Sequence, residues 1–573
     1  MKQLAVAGTV ALVALTIAFE AWVRPVVAQE APPPAIQLPA VKETDSERFT
    51  TSGTCAQCHS QSEGAQAMRD SKGKGIAPYD LWQSTMMANA ARDPLWRAVV
   101  SMEVAATPSL AKQIQAKCLR CHSPMASVEA RALKIDLSLK DLYGDTPEAQ
   151  LALDGVSCTV CHQIQPKNLG KPESYGGHYE IAKGHVIFGP HKDPVAMPMV
   201  RHSGFTPQHG THMVESALCA TCHTLFTDAV DAQGKPTGHR LPEQTPYLEW
   251  RNSLMSTEAK PKNPMGRSCQ SCHMPTGEGR TPLKTMIARA PHGGDFQLDA
   301  RSPFGRHILV GGNTLIPAIL RDNAQELRPR ASKAAFNATI AAARHQLRSS
   351  VARLSLEARR QDRKLTASVK ITTFVGHKFP TGHPSRRAWL RLQVLDAKGR
   401  VLFVSGAHDA RARLVDGAGK LLAAEKPGGP SHPHRQVIRG DSEVAVYESQ
   451  MADAAGKPTY LLMRGATYLK DNRFLPMGWK ADHPDAKHTA PQGVKGDSDF
   501  RAGGDTVVYE VTLPEGTPSN VVVKAELLYQ VLGARYAAEL FTFDTPEIRA
   551  FRRYYAKADK SPVLVAESKK TLP

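Results

Sequence analysis

The sequence predicts an α+β multidomain chain, with a mostly helical and loop-built N-terminal region followed by an antiparallel β-sandwich-like domain. Three observations predict it. All ten cysteines lie between Cys55 and Cys272, in five copies of one short motif. Apolar residues then recur at three- and four-residue steps through Phe336, Ile340, Ala343, Leu347 and Val351, the spacing of an amphipathic helix. Beyond Leu354 the period falls to two, and cysteine is absent.

In chain order, residues 1–28 have the three-part layout of an export signal. Lys2 is the basic start, Leu4 to Phe19 the apolar run, and Val26-Val27-Ala28 the small-residue site, with cleavage expected after Ala28. Retention as an uncleaved anchor is the alternative, although the apolar run is short for a bilayer span. Residues 29–47 form a Pro-rich polar linker around Ala31-Pro32-Pro33-Pro34. The motif-bearing domain spans 48–325, with short helices and long loops, a helix expected from Tyr79 to Val100, and helical segments leading into several motifs. A connecting helix follows over 326–356. The β-sandwich-like domain covers 357–555: Leu365, Ala367, Val369 and Ile371 alternate with polar residues, as do Leu390, Leu392 and Val394. A turn at Asp396–Gly399 precedes Val401–Val404, and further strands are expected at Glu443–Tyr447, Val507–Thr512 and Val521–Leu528. Residues 556–573 read as a basic tail.

The motifs are Cys55-Ala-Gln-Cys58-His59, Cys118-Leu-Arg-Cys121-His122, Cys158-Thr-Val-Cys161-His162, Cys219-Ala-Thr-Cys222-His223 and Cys269-Gln-Ser-Cys272-His273. Two thiols at this spacing reach the two vinyl groups of one haem and form thioethers, and the adjacent imidazole becomes the proximal iron ligand. Five copies predict five covalently bound haem c groups. Disulfides would give five very short loops, which constrain an unfolded chain least. Zinc sites built from cysteine quartets would strand one pair. Neither explains a histidine after every second cysteine. Successive motifs are 63, 40, 61 and 50 residues apart, too little chain for separate domains, so the haems must share one fold and lie close together.

The formal charge is +18. Five haems carry about ten propionates, which offset much of it. Nucleic-acid binding is therefore not expected; a basic rim that steers an acidic redox partner and lysines and arginines paired with propionates are equal alternatives. Aromatic residues make up 6% of the chain, beside 42 glycines and 41 prolines, so porphyrin is expected to supply part of the core.

A sixth ligand decides whether an iron only carries electrons or can also bind substrate. The candidates are His212 before the fourth motif, His307 in Phe304-Gly-Arg-His307, and His377 in Gly376-His-Lys-Phe-Pro-Thr-Gly382. Met86 and Met87, expected on a helix after Trp82, are the thioether candidates, with core packing as the alternative. His178, His185, His191, His202 and His209 crowd the stretch between the third and fourth motifs, where one or two could ligate.

These motifs, with Trp82–Asn89, Arg92-Asp-Pro94, Glu243–Trp250, Phe304-Gly-Arg-His307 with Val310-Gly-Gly-Asn313, and Gly376–Gly382 followed by Arg386-Arg387, resemble the exported multihaem c-type cytochromes that join a haem-rich region to a β-rich C-terminal domain. The resemblance covers most of the chain beyond the signal. It implies periplasmic electron transfer in a respiratory chain. The implied partners are other cytochromes, a quinol-oxidising membrane complex or a terminal reductase, with peripheral membrane association allowed. Pentahaem nitrite reductases replace one motif histidine with lysine, whereas all five motifs here end in histidine. Hydroxylamine-oxidising relatives carry more motifs than these five. The alternative reading is a reductase or oxidase of a small nitrogen or sulfur compound at one pentacoordinate haem, with His202 or His209 assisting proton transfer.

Overall fold

A computed structural model describes residues 36–573 apart from Arg280; the expected export signal lies outside the described residues. Both helices and sheets are present. Residues Ile36–Pro573 form one compact unit, so the motif-bearing half and the β-rich half are packed together.

The motif-bearing half is a series of short helices whose ends are set by local chemistry. The helix expected over Tyr79–Val100 is split into Pro78–Trp82 and Pro94–Ala106. The cause is Asp93-Pro94: a residue before proline is disfavoured in the helical region, and Asp93 instead caps the second helix. Its carboxylate accepts from the N–H groups of Leu95 at 2.8 Å and Trp96 at 3.2 Å. Met86 and Met87 therefore lie in the turns between two helices. Met86 packs against the main apolar core, and the Met87 carbonyl accepts from Val156 N–H. A hairpin of β1 (Leu225–Val230) and β2 (Pro236–Gln244) follows the fourth motif directly.

The helix expected over 326–356 runs from Lys333 to Ser350, capped by Ser332, and buries Phe336, Ile340, Ala343 and Leu347 as the spacing predicts. Its C-terminal flank is already strand. From there β3 (Ala352–Gln361), β4 (Lys364–Thr373) and β7 (Gly504–Thr512) form a four-stranded sheet in the order Val437–Ile438, β7, β4, β3. The contact of Val437–Ile438 with β7 is parallel, and the rest of this sheet is antiparallel.

The second sheet has seven strands. Its path runs Pro458–Thr459, β6 (Val446–Ala452), β5 (Arg387–Asp396), β8 (Val521–Gln530) and β9 (Val563–Leu572). Val401–Ser405 adds to β5 and Thr467–Asp471 to β6. One apolar cluster joins the sheets: Leu365, Val369 and Tyr509 from one, Leu390, Val394, Val523 and Leu527 from the other. Ala98, Val99 and Met102 of the helix Pro94–Ala106 enter the same cluster, locking the two halves together.

β9 corrects the basic tail expected over 556–573. Lys557 ends the helix Pro546–Lys557, and Val563–Leu572 then pairs along β8 with Val565 and Leu572 buried. Its lysines, Lys569 and Lys570, are exposed on an edge strand, where charge discourages further strand pairing.

Candidate haem sites

All five motifs sit at short helices or helix ends: Ser52–His59, Ala111–His122, Cys158–Gln163, Ser216–Ala220 with the turn that follows, and Cys269–His273. Among the ten cysteines Cys272 is exposed and the others are partly buried; burial pushes the Cys118 and Cys161 thiols up to about 12.

The motifs form one connected group. The first and third helices touch. Buried Asp154 beside the third motif accepts from Ser52 N–H at 2.8 Å, and Thr159 Oγ1 donates to the Thr50 carbonyl. The second and fourth motifs are stitched through Gly176-Gly177. Gly176 N–H donates to Thr224 O, Gly177 N–H to Thr221 O, and Arg120 Nη1 to Gly176 O. Gly177 has φ +80°, and a Cβ there would stand 2.8 Å from Arg120 Cγ and 3.2 Å from Cys121 Sγ, so only glycine fits the junction. The fourth and fifth motifs meet where Cys269 N–H donates to Ser216 Oγ and Cys219 approaches Cys269. Leu218 and Cys222 of the fourth motif pack against the apolar cluster that holds Val160 and Ile164 of the third.

The histidines carry the test of fit. His122 Nδ1 lies 3.2 Å from Ala90 O, His162 Nδ1 2.6 Å from Phe188 O, and His273 Nδ1 2.7 Å from Val310 O. A ring that donates Nδ1–H to a carbonyl leaves Nε2 bare for a metal and gains basicity. His162 then faces His307, with ring centres 6.3 Å apart and planes 21° from parallel. His273 faces His377 at 6.3 Å and 16°. Two axial imidazoles with each nitrogen about 2 Å from a shared first-row metal, and each ring centre about 1 Å further back, stand about 6 Å apart. Both facing rings repeat the motif pattern: His307 Nδ1 lies 3.0 Å from Gly305 O and His377 Nδ1 2.9 Å from Lys378 O. Burial holds His59, His122, His223 and His307 down to about 4, the neutral form that a ligand requires.

The orphaned polar atoms point the same way. Arg120 Nε, Ser123 Oγ, Thr224 Oγ1, Gln270 Oε1, Arg306 Nε and Arg386 Nε are buried without partners, and each belongs to or adjoins a motif or a facing loop. A carboxylate between the motifs would accept from the arginine and hydroxyl donors among them, and haem propionates are of that chemistry.

The other candidates are placed differently. His212 is buried on a 3-10 turn, with Nε2 2.9 Å from the Ile164 carbonyl and the edge of its ring against Phe188. His178 sits between Tyr175 O and Arg120, and His185 donates to Glu47 O. His383 went unnoticed in the sequence, although it lies six residues beyond His377 in the same loop and is flanked by Gly382 and Pro384. It is near enough to His122 to feel its charge, and burial, then Arg386, holds it down to about 3. Its Nδ1 accepts from Ser385 N–H at 3.3 Å, the tautomer opposite to that of the two facing rings. Trp96 stacks on His122 at 4.5 Å and 6°.

No protein-family model and no curated protein matches the chain. Among solved structures, it is similar to a penta-heme cytochrome c552 from Thermochromatium tepidum. Sequence identity is 18% and the TM-score 0.48, over 92% of this chain and 99% of that one. Among the described residues no helix is long and apolar enough to cross a membrane.

The loop Gly376–Arg386 reaches the motifs from the β-rich half and is held by a buried charged group. Lys378 Nζ pairs with Asp471 Oδ2 at 2.5 Å, and Arg473 Nε with Asp471 Oδ1 at 2.7 Å. Glu249 Oε2 accepts from Lys378 N–H at 3.0 Å and Thr381 Oγ1 at 2.6 Å. The Arg473 and Lys378 charges hold the Asp471 carboxyl well below its usual range against the opposing effect of burial. This group sets where His377, His383 and Arg386 point.

Proposed function

We propose that the chain is a multihaem c-type cytochrome that carries electrons through five covalently attached haems. The observation that carries the reading is the pairing of His162 with His307 and of His273 with His377, at the separation of two axial ligands and inside one connected group of five motifs. In this reading the cysteine pairs hold each porphyrin by thioethers and the motif histidines supply the proximal nitrogens. The carbonyls of Ala90, Phe188 and Val310 orient three of those rings. When bound, each haem supplies an iron that cycles between the ferric and ferrous states.

The haem domain over 48–325 precedes a β-sandwich domain whose Gly376–Arg386 loop closes over the second, fourth and fifth motifs. The expected export signal over residues 1–28 supports a periplasmic location. Its partners are other cytochromes, a quinol-oxidising membrane complex or a terminal reductase, met at the membrane surface. One observation favours a second reading, a reductase of a small anion at one haem. The Arg386 charge reaches His223, and among the described residues no stacked imidazole pairs with it.

The test is a haem count by pyridine haemochrome with an EPR spectrum of the oxidised protein. Five haems with only low-spin signals support the carrier. A high-spin component that shifts with cyanide supports the reductase, and fewer than five haems overturns both.

A further inference from the structure

Arg386 is a cation without an anion. It begins the chain's approach to β5, and its Nη1 donates to the Thr381 carbonyl at 2.6 Å. Its Nε is buried and has no hydrogen-bond partner. Among the described residues no Asp or Glu pairs with it, whereas the next residue, Arg387, is fully engaged by Glu425, with Nη1 2.6 Å from Oε1. Two neighbouring arginines thus differ in kind: one closes a buried ion pair, and the other faces the motifs unpaired.

The geometry fixes what Arg386 faces. Gly382 has φ +78°, and a Cβ there would lie 3.0 Å from Arg386 Nη1 and 3.8 Å from Gln244 Oε1. Gln244 is paired with Leu225, two residues after His223, so the guanidinium stands at the root of the β1–β2 hairpin where the fourth motif ends. His223 feels its charge, as does His383. Thr224 Oγ1, next to His223, is also buried and unpartnered. A half-buried guanidinium without a counter-ion leaves an unmet desolvation penalty, and planar bidentate anions are the ligands it fits best.

We infer that Arg386 is the anion-binding residue of the fourth motif, holding a carboxylate or a similar planar oxyanion beside His223. The inference rests on the cytochrome reading, and the anion has two sources: a propionate of the resident haem or a small free oxyanion. Arg386 is a positioning residue in the first case and a ligand-binding residue in the second.

The experiment compares wild type, Arg386→Gln and Arg386→Lys as full haem-loaded chains. Reduction potentials are read by optical titration, with and without sodium nitrite as the free anion. A cation beside the site disfavours the ferric state, so for a propionate-holding Arg386 the glutamine variant shifts one of the five midpoints negative. The lysine variant then recovers much of that shift, and nitrite leaves the wild type unchanged. For a free-anion site, nitrite perturbs the wild-type spectrum saturably, and Arg386→Gln weakens that binding by about tenfold or more. A glutamine variant with five haems, unmoved potentials and an unchanged nitrite response overturns the inference. Should that variant fail to take up haem, redox infrared spectra of wild type with isotope-labelled propionates decide. A guanidinium-paired carboxylate band, or a saturable nitrite response, is required, and the lack of both overturns the inference. Fewer than five haems in the wild type overturns the cytochrome reading itself, and this site with it.

Discussion

Each imidazole has two nitrogens of opposite role, and a neighbouring carbonyl decides which one keeps the proton. His307 and His377 give Nδ1–H to Gly305 and Lys378, which leaves Nε2 bare toward His162 and His273. Replacing either by alanine is expected to convert one of the five haems from low to high spin in the oxidised EPR spectrum. The double variant should convert two. No change in spin state would remove these residues from the ligand set. The motif histidines are legible as proximal candidates because the proposed thioether chemistry would tie them to adjacent cysteines. The facing histidines were legible only as candidates, from their glycine and proline surroundings, since nothing local tells His307 that it will meet His162. His212 is an equal candidate by position and is placed differently, with Nε2 2.9 Å from the Ile164 carbonyl. Away from the motifs, Asp505 offers a pH test. Burial holds it up at about 7 against the ordinary 3.8, with Asp497 adding to burial and the hydroxyl of Tyr447, 2.7 Å away, acting against it. Between about pH 4 and pH 7 the folded chain keeps a proton that the unfolded chain has lost, so stability falls as pH rises through that window. Asp505→Asn removes this term. It is expected to narrow the difference in melting temperature between pH 5 and pH 8, an effect on the order of a few kcal/mol. An unchanged difference would show that Asp505 titrates normally.

Elements depend on contacts that lie far from their own sequence, and two of them carry predictions. The loop Gly376–Arg386 holds its shape through Lys378, Asp471, Arg473 and Glu249, all buried. Removing one partner of a buried ion pair costs about 3–5 kcal/mol, because the other charge stays in the interior. Lys378→Met should therefore lower the melting temperature and, by loosening the loop, raise the high-spin fraction at the His273–His377 site. A destabilised variant with an unchanged spectrum would show that the loop is not held by this group. The second element is β9. Its lysines made it resemble a solvated tail, because polar residues occupy the exposed face of an edge strand, and a short apolar alternation beside them is a weak signal. The register with β8, from Val521 opposite Leu572 to Tyr529 opposite Val563, shows it completing the sheet. Deleting residues 561–573 bares the β8 edge and the apolar faces of Leu527 and Tyr529. It is expected to cause aggregation or a large loss of thermal stability, whereas a dispensable tail would melt like the full chain.

Over the whole molecule the motifs are not arranged in sequence order. The first touches the third, the third shares an apolar cluster with the fourth, and the fourth meets both the second and the fifth. Spacing in the sequence showed that the motifs must crowd together, but not who neighbours whom, because the joins run through residues such as Gly177 and Ser216 that carry no signal of their own. The difference is measurable without assigning any spectral line to a residue. Cys219→Ser with Cys222→Ser removes the thioethers of the fourth motif, and the haem count should fall from five to four. Haems close enough to touch couple magnetically, so loss of one alters the EPR signals of its neighbours. An order that followed the sequence would change two of the remaining four, the third and the fifth. The arrangement around the fourth motif changes three, and leaves the haem of the first motif as it was. Two altered signals instead of three would mean that the Gly176-Gly177 junction does not bring the second and fourth haems together. The bonds that Arg120 and Thr224 share with Gly176 would then need another explanation.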